Sequence, residues 1–258
     1  MLVNAVLSVA CQYSDRPAAR DRGGDYFFSE AQRHAENIGA ADLTAVQAMA
    51  VMAVREGSAG RDHISYRLCG RAVRLALEMG LHLADTTAGE PNLRSSEIDI
   101  RKLTFWGVFN CEMICCLALG RISSIPKNAI EIDKRRFLRP RTILYPDSDM
   151  FTALNSEKLD ALFWQPYEDA NLPVSPSAVQ PMKCLLFHSH QSTLAELIND
   201  INLNLYAPRE RFTPRRLASA YNQYQQWYSE LPDMFQLQNT AMPHVIVLHM
   251  YYHQCVLQ

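Results

Sequence analysis

The 258-residue chain has no C-x-x-C pair, no G-x-G-x-x-G, no phosphate-binding glycine loop, no G-x-S-x-G elbow and no H-E-x-x-H. Each of these patterns carries a chemistry: thiolate capture of zinc, dinucleotide or nucleotide phosphate binding, serine nucleophilic catalysis, zinc hydrolysis. Without them the sequence gives no support to an enzyme. Excess charge is missing too, since 25 Lys+Arg stand against 27 Asp+Glu for a formal net charge of −2. Bulk charge therefore cannot hold nucleic acid. No repeat at a fixed period of about 34 residues can be read, so a helical bundle or irregular array is expected rather than a regular solenoid. The N-terminal LVNAVLSVAC has no basic residue before it and is too short to span a bilayer, which makes it a core helix.

Cysteine is present in an odd number, seven, and mostly inside apolar runs. That usage excludes a disulfide framework and fits a reducing compartment. Cys111 and Cys115 are spaced to share a helix face, but neither a C-x-x-C nor two further ligands accompany them, so they read as buried thiols and no metal is assigned.

The stretch Arg61 to Pro126 organises the rest. In RDHISYRLCGRAVRLALEMGLH the residues Leu68, Ala72, Leu75, Ala76 and Met79 recur at helical spacing, while Arg67, Arg71, Arg74 and Glu78 share a second face. Gly80 follows the last apolar turn, where positive φ closes a helix. A polar turn leads to Ser96, which with Asp99 fits a capping box, and then to SSEIDIRKLTFWGVFNCEMICCLALGRISSIP. From Leu103 to Leu119 only Thr104, Asn110 and Glu112 interrupt an apolar or small run, so this helix has no face suited to water and must be central.

These pieces in this order, GRAVRLALEMGLH, then an acidic residue and Arg before TFWGVF, then an acid inside an apolar helix ending in LALGR, resemble the middle homology region of fungal binuclear-zinc-cluster transcription factors. LTAVQAM upstream and WYSELP with PHVIVLHMYYH downstream extend the resemblance, strongest at Arg61 to Ile132 and moderate at Leu186 to His253. Met113 and Ile122 depart from the family pattern, where a basic residue and a proline are usual. The resemblance implies an all-α, irregular multi-helix bundle of antiparallel hairpins, acting in the nucleus as a regulatory domain. It implies a metabolite effector, a protein partner or a homodimer, and no membrane. DNA contact would run through a segment outside this chain, because the family's zinc cluster needs six cysteines in two C-x-x-C-type groups that are absent here. No cofactor is expected in the chain itself. The last helix of the family normally continues past Gln258.

Along the chain, helices are expected at Leu2 to Tyr13, at Tyr26 to Ile38 after a charged loop, from an Asp42 or Thr44 cap, at Met182 to Leu205, and from Thr213-Pro214 to Leu231. Prolines 166, 173, 176 and 181 mark 141–181 as a loop or linker and a candidate hinge, between a helical region 1–140 and a helical part 182–258.

Glu112 is the side chain to single out, since an ionised carboxylate in an apolar helix is costly unless paired. Arg74 and Arg121 are its expected partners. KRRFLRPR, with Lys134, Arg135, Arg136, Arg139 and Arg141, reads either as a nuclear-import element or as a solvated loop. The pairs His188/His190 and His249/His253 read as packing or surface residues. The Met- and Cys-bearing faces of 46–54 and 103–119 are candidate pocket walls, with ordinary core the plainer reading. The competing function is a ligand-free helical scaffold using the Tyr- and Trp-bearing helix 217–231 as a contact face.

Overall fold

A computed structural model describes residues 1–37, 39, 41–84, 95–132, 162–164, 179–205, 213–240 and 242–257. Two compact units divide the chain, Met1–Ile132 and Asp133–Gln258. The break falls ahead of residue 140. Of the expected linker 141–181, most lies outside the described residues. Its described ends pair instead, β1 (Phe163–Trp164) running antiparallel to β2 (Gln180–Pro181).

The first unit contains α1 (Leu2–Ala10), α2 (Gly24–Glu36), α3 (Leu43–Ser58), α4 (Asp62–Glu78) and α5 (Ser95–Leu119). The carboxylate of Asp42 caps α3 by accepting from Ala45 N at 2.8 Å, the role expected of it. Gly80 ends α4 at φ +64°, where a side chain would be strained. One helix start and one helix end differ from expectation. The segment expected as a loop before α2 holds a π-helical turn, Ala19–Gly23, running directly into α2. A Cβ at Gly24 would meet the Ser8 carbonyl oxygen at 3.0 Å, so this glycine serves close helix approach rather than a turn. Helix α1 is shorter than expected, with Cys11–Tyr13 tightening into a 3-10 turn.

Helix α5 is the core. Phe105, Trp106, Phe109, Met113, Cys116 and Leu117 are all at most 2% exposed, and the three aromatic rings pack edge-on and stacked on one another. Its length and apolarity would allow it to cross a membrane, but 61% of that span is buried within the protein, as in a core helix. Polar cross-bonds set the helix crossings. Gln47 Nε2 on α3 donates to Thr104 Oγ1 on α5 at 2.9 Å, Ser65 Oγ on α4 donates to the Ala53 carbonyl on α3 at 2.7 Å, and Arg71 on α4 donates to the Ala35 carbonyl on α2 at 2.8 Å. The last of these places a cation at a helix C-terminus, where the dipole favours it.

The second unit contains α6 (Cys184–Leu205), α7 (Pro214–Ser229) and α8 (Pro243–Leu257), and Leu186 and Phe187 of α6 pack against a core cluster of Phe235, Met242 and Val245. Thr213 caps α7, accepting from Arg216 N at 3.3 Å, with Pro214 in the first turn as expected.

Candidate functional site

Glu112 projects from α5 into the turn that follows the helix. Gly120 takes φ +60° and Arg121 N donates back to the Cys116 carbonyl at 2.9 Å, so the chain reverses at once. This reversal brings Ser123 and Ser124 beside the carboxylate. Ser124 N donates to Oε1 at 2.9 Å and Ser123 Oγ donates to Oε2 at 3.1 Å, while Ser123 Oγ also accepts from Ile125 N at 3.1 Å. Glu112 is only 3% exposed. The expected bond to Arg74 or Arg121 is not the one that satisfies it, since no ion pair joins Glu112 to either arginine. Two local donors meet the need for which a cation had been expected, and they reach it because the turn folds back over the helix end. The carboxylate thereby pins the exit segment, and Ile125, 1% exposed, follows it into the core. Farther on, Glu131 N donates to the His82 carbonyl at 2.9 Å and Ala84 N to Glu131 Oε2 at 3.2 Å, fixing the exit against the end of α4.

A buried charge cluster was missed in the sequence. Glu56, its side chain 1% exposed, receives Arg61 Nε at 2.6 Å and Nη2 at 2.7 Å in a bidentate fork, and also pairs with Arg55. Arg55, 6% exposed at the side chain, reaches Asp25 on α2 and stacks over the Phe28 ring at 4.6 Å. Burial pushes the Glu56 carboxyl up, but the hydrogen bonds from Arg61 and Arg55 outweigh it and hold the group below the ordinary carboxylate range. The signal was available. Val46, Met49 and Ala53 define the apolar stripe of α3, and the next place on that stripe is Glu56.

Cys111 and Cys115 do share one face of α5, and Cys69 from α4 joins them, the three Sγ atoms lying within 4.8 Å of one another. The family's six-cysteine zinc cluster does not fit this chain, because Cys11, Cys116, Cys184 and Cys255 lie outside that group and no C-x-x-C occurs. Met49 and Met52, proposed as pocket wall, are fully buried core. His249 is 2% exposed and its Nε2–H donates to the Phe235 carbonyl at 2.7 Å, a packing role. Tyr224 and Trp227 of α7 also point inward. Trp227 Nε1 donates to the His190 carbonyl at 3.2 Å and its ring stacks on Tyr252, which leaves Leu217 and Tyr221 as the exposed members of the expected contact face. The basic run Lys134 to Arg141 lies outside the described residues.

Nitrogen assimilation transcription factor nit-4 of Neurospora crassa is 30% identical to the chain over 269 aligned residues, covering 98% of this chain and 22% of the relative. Nitrogen assimilation transcription factor nirA of Emericella nidulans is 27% identical, covering 98% of the chain and 28% of the relative. Thiamine repressible genes regulatory protein thi1 of Schizosaccharomyces pombe is 23% identical over 79% of the chain and 22% of its own length. The chain thus spans between a fifth and a third of the length of these relatives. No solved structure matches it. The profile described as fungal specific transcription factor domain matches residues 1–229, over the same α3–α4–α5 core and exit turn, and the chain belongs to that family.

Proposed function

We infer that this chain is the regulatory, non-DNA-reading domain of a fungal-type zinc-cluster transcription factor, controlling DNA-templated transcription in the nucleus. The observation that carries this reading is the family match over residues 1–229, together with relatives that are transcriptional regulators. Its mechanism is a shift between two arrangements of a helical core, biased by a metabolite or protein partner that binds one arrangement better. The exit turn is the candidate moving element, because a single carboxylate, Glu112, accepts both hydrogen bonds that hold Ser123 and Ser124 to the end of α5. Two relatives that cover 98% of the chain carry nitrogen assimilation in their names, so nitrogen-source promoters are the first targets to test.

Mapping the 5′ end of the natural transcript tests the assignment. An upstream exon encoding a six-cysteine cluster and a basic linker supports it. A transcript that begins at Met1 would make the module act through a partner and put the scaffold reading first. A thermal-shift screen then separates sensor from scaffold: a sensor is stabilised by some metabolite, whereas a scaffold responds to its protein partner or its own concentration.

A further inference from the structure

Cys69 on α4 and Cys111 and Cys115 on α5 have no part in the regulatory reading. A four-residue step sets Cys111 and Cys115 on one side of α5. Cys69 is 1% exposed, whereas the other two are half-buried. The surroundings are apolar, with Leu2, Met52, Ile64 and Leu68 in the same cluster. Ser65 Oγ lies 3.6 Å from Cys115 Sγ, but that hydroxyl already donates to the Ala53 carbonyl.

Three sulfur donors, with no fourth protein ligand beside them among the described residues, narrow the chemistry. Zinc in a structural site takes four ligands in a tetrahedron, and thiolates select soft centres. Charge narrows it further. Three thiolates leave a net charge of −2 around a monovalent ion, −1 around a divalent ion and none around a trivalent one. Apolar walls penalise uncompensated charge, and the Glu112 carboxylate acting on Cys111 adds to that penalty.

We propose that Cys69, Cys111 and Cys115 form a binding site for a trivalent arsenic or antimony hydroxide, held as a neutral tris-thiolate. With arsenous acid, three As–O bonds break and three As–S bonds form. Each departing hydroxide leaves as water with one thiol-derived proton, and arsenic stays trivalent throughout. Each sulfur attacks as its thiolate, and the proton that thiol gives up is the one the leaving hydroxide takes. Occupancy ties α4 to α5.

The test titrates the whole chain, reduced and kept free of oxygen, with sodium arsenite. One arsenic should bind per chain, three of the seven thiols should disappear to a thiol reagent, and the mass should rise by one arsenic less three hydrogens. X-ray absorption at the arsenic edge should show three sulfur neighbours and no oxygen. Cys69→Ser, Cys111→Ser and Cys115→Ser should each lose the three-sulfur signature, while Cys116→Ser keeps it. The wild-type spectrum and thiol count decide the matter even where a variant fails to fold. Oxygen neighbours at arsenic, no binding at one equivalent, or a three-sulfur site surviving in a folded Cys69→Ser chain would overturn the proposal. So would capture of all three thiols by copper(I) or zinc when arsenite fails to bind.

Discussion

Replacing Glu112 with Ala removes the acceptor for Ser124 N–H and Ser123 Oγ–H at a site 3% exposed. The expected cost is about 1–3 kcal/mol in urea unfolding, the range for leaving buried donors unsatisfied. A double-mutant cycle distinguishes the donors: Glu112→Ala should couple with Ser123→Ala and add independently with Arg74→Ala or Arg121→Ala. Glu56 makes a prediction in pH. Its folded pKa is lowered, so its stabilising contribution is present above the unfolded value, near 4.5, and fades as pH falls through the folded value. Stability should therefore decline on acidification below about pH 4.5, and Glu56→Gln, itself destabilising, should flatten that decline. The same slope in wild type and variant would remove Glu56 from the account. The need for Glu112 to have partners was legible from a charge in an apolar run. Which partners it takes was not, because Ser123 and Ser124 reach it only once Gly120 has reversed the chain.

Two glycines on neighbouring helices should respond oppositely to the same substitution. Gly107 sits within α5 on an exposed face, and a Cβ there meets nothing within 4 Å. Gly107→Ala should raise stability by about 0.5–1 kcal/mol through helix propensity alone. Gly80, at φ +64°, should lose about 1–2 kcal/mol on the same change because Ala is strained there. Thermal melting of both variants checks the pair. Helix existence was the most legible level of this protein: the largely apolar run of α5, interrupted only by Thr104, Asn110 and Glu112, required a central position, and Asp42, Gly80 and Pro214 marked boundaries by their own chemistry. The start of α2 was not legible, since Pro17, Gly23 and Gly24 carry the composition of a loop. The helical turn there packs α2 against α1, with Gly24 allowing the approach to Ser8.

At the scale of the molecule, the features that pattern reading missed are those assembled from different helices. Asp25 and Arg55 come from α2 and α3, and Cys69 meets Cys111 and Cys115 only across the α4–α5 contact. Spacing within one element carries no trace of such meetings. The family resemblance was legible because it rests on order along the chain, and the match over residues 1–229 bears it out. The central claim is that this folded module sets transcriptional output. Its most direct measurement is a reporter assay in fungal cells, with residues 1–258 joined to a heterologous DNA reader and activation segment. The account predicts output different from that of reader and activator alone, returning to that level when Glu112→Ala releases the exit turn at equal protein abundance. Equal output with and without the folded module, under every nitrogen source tried, would contradict it.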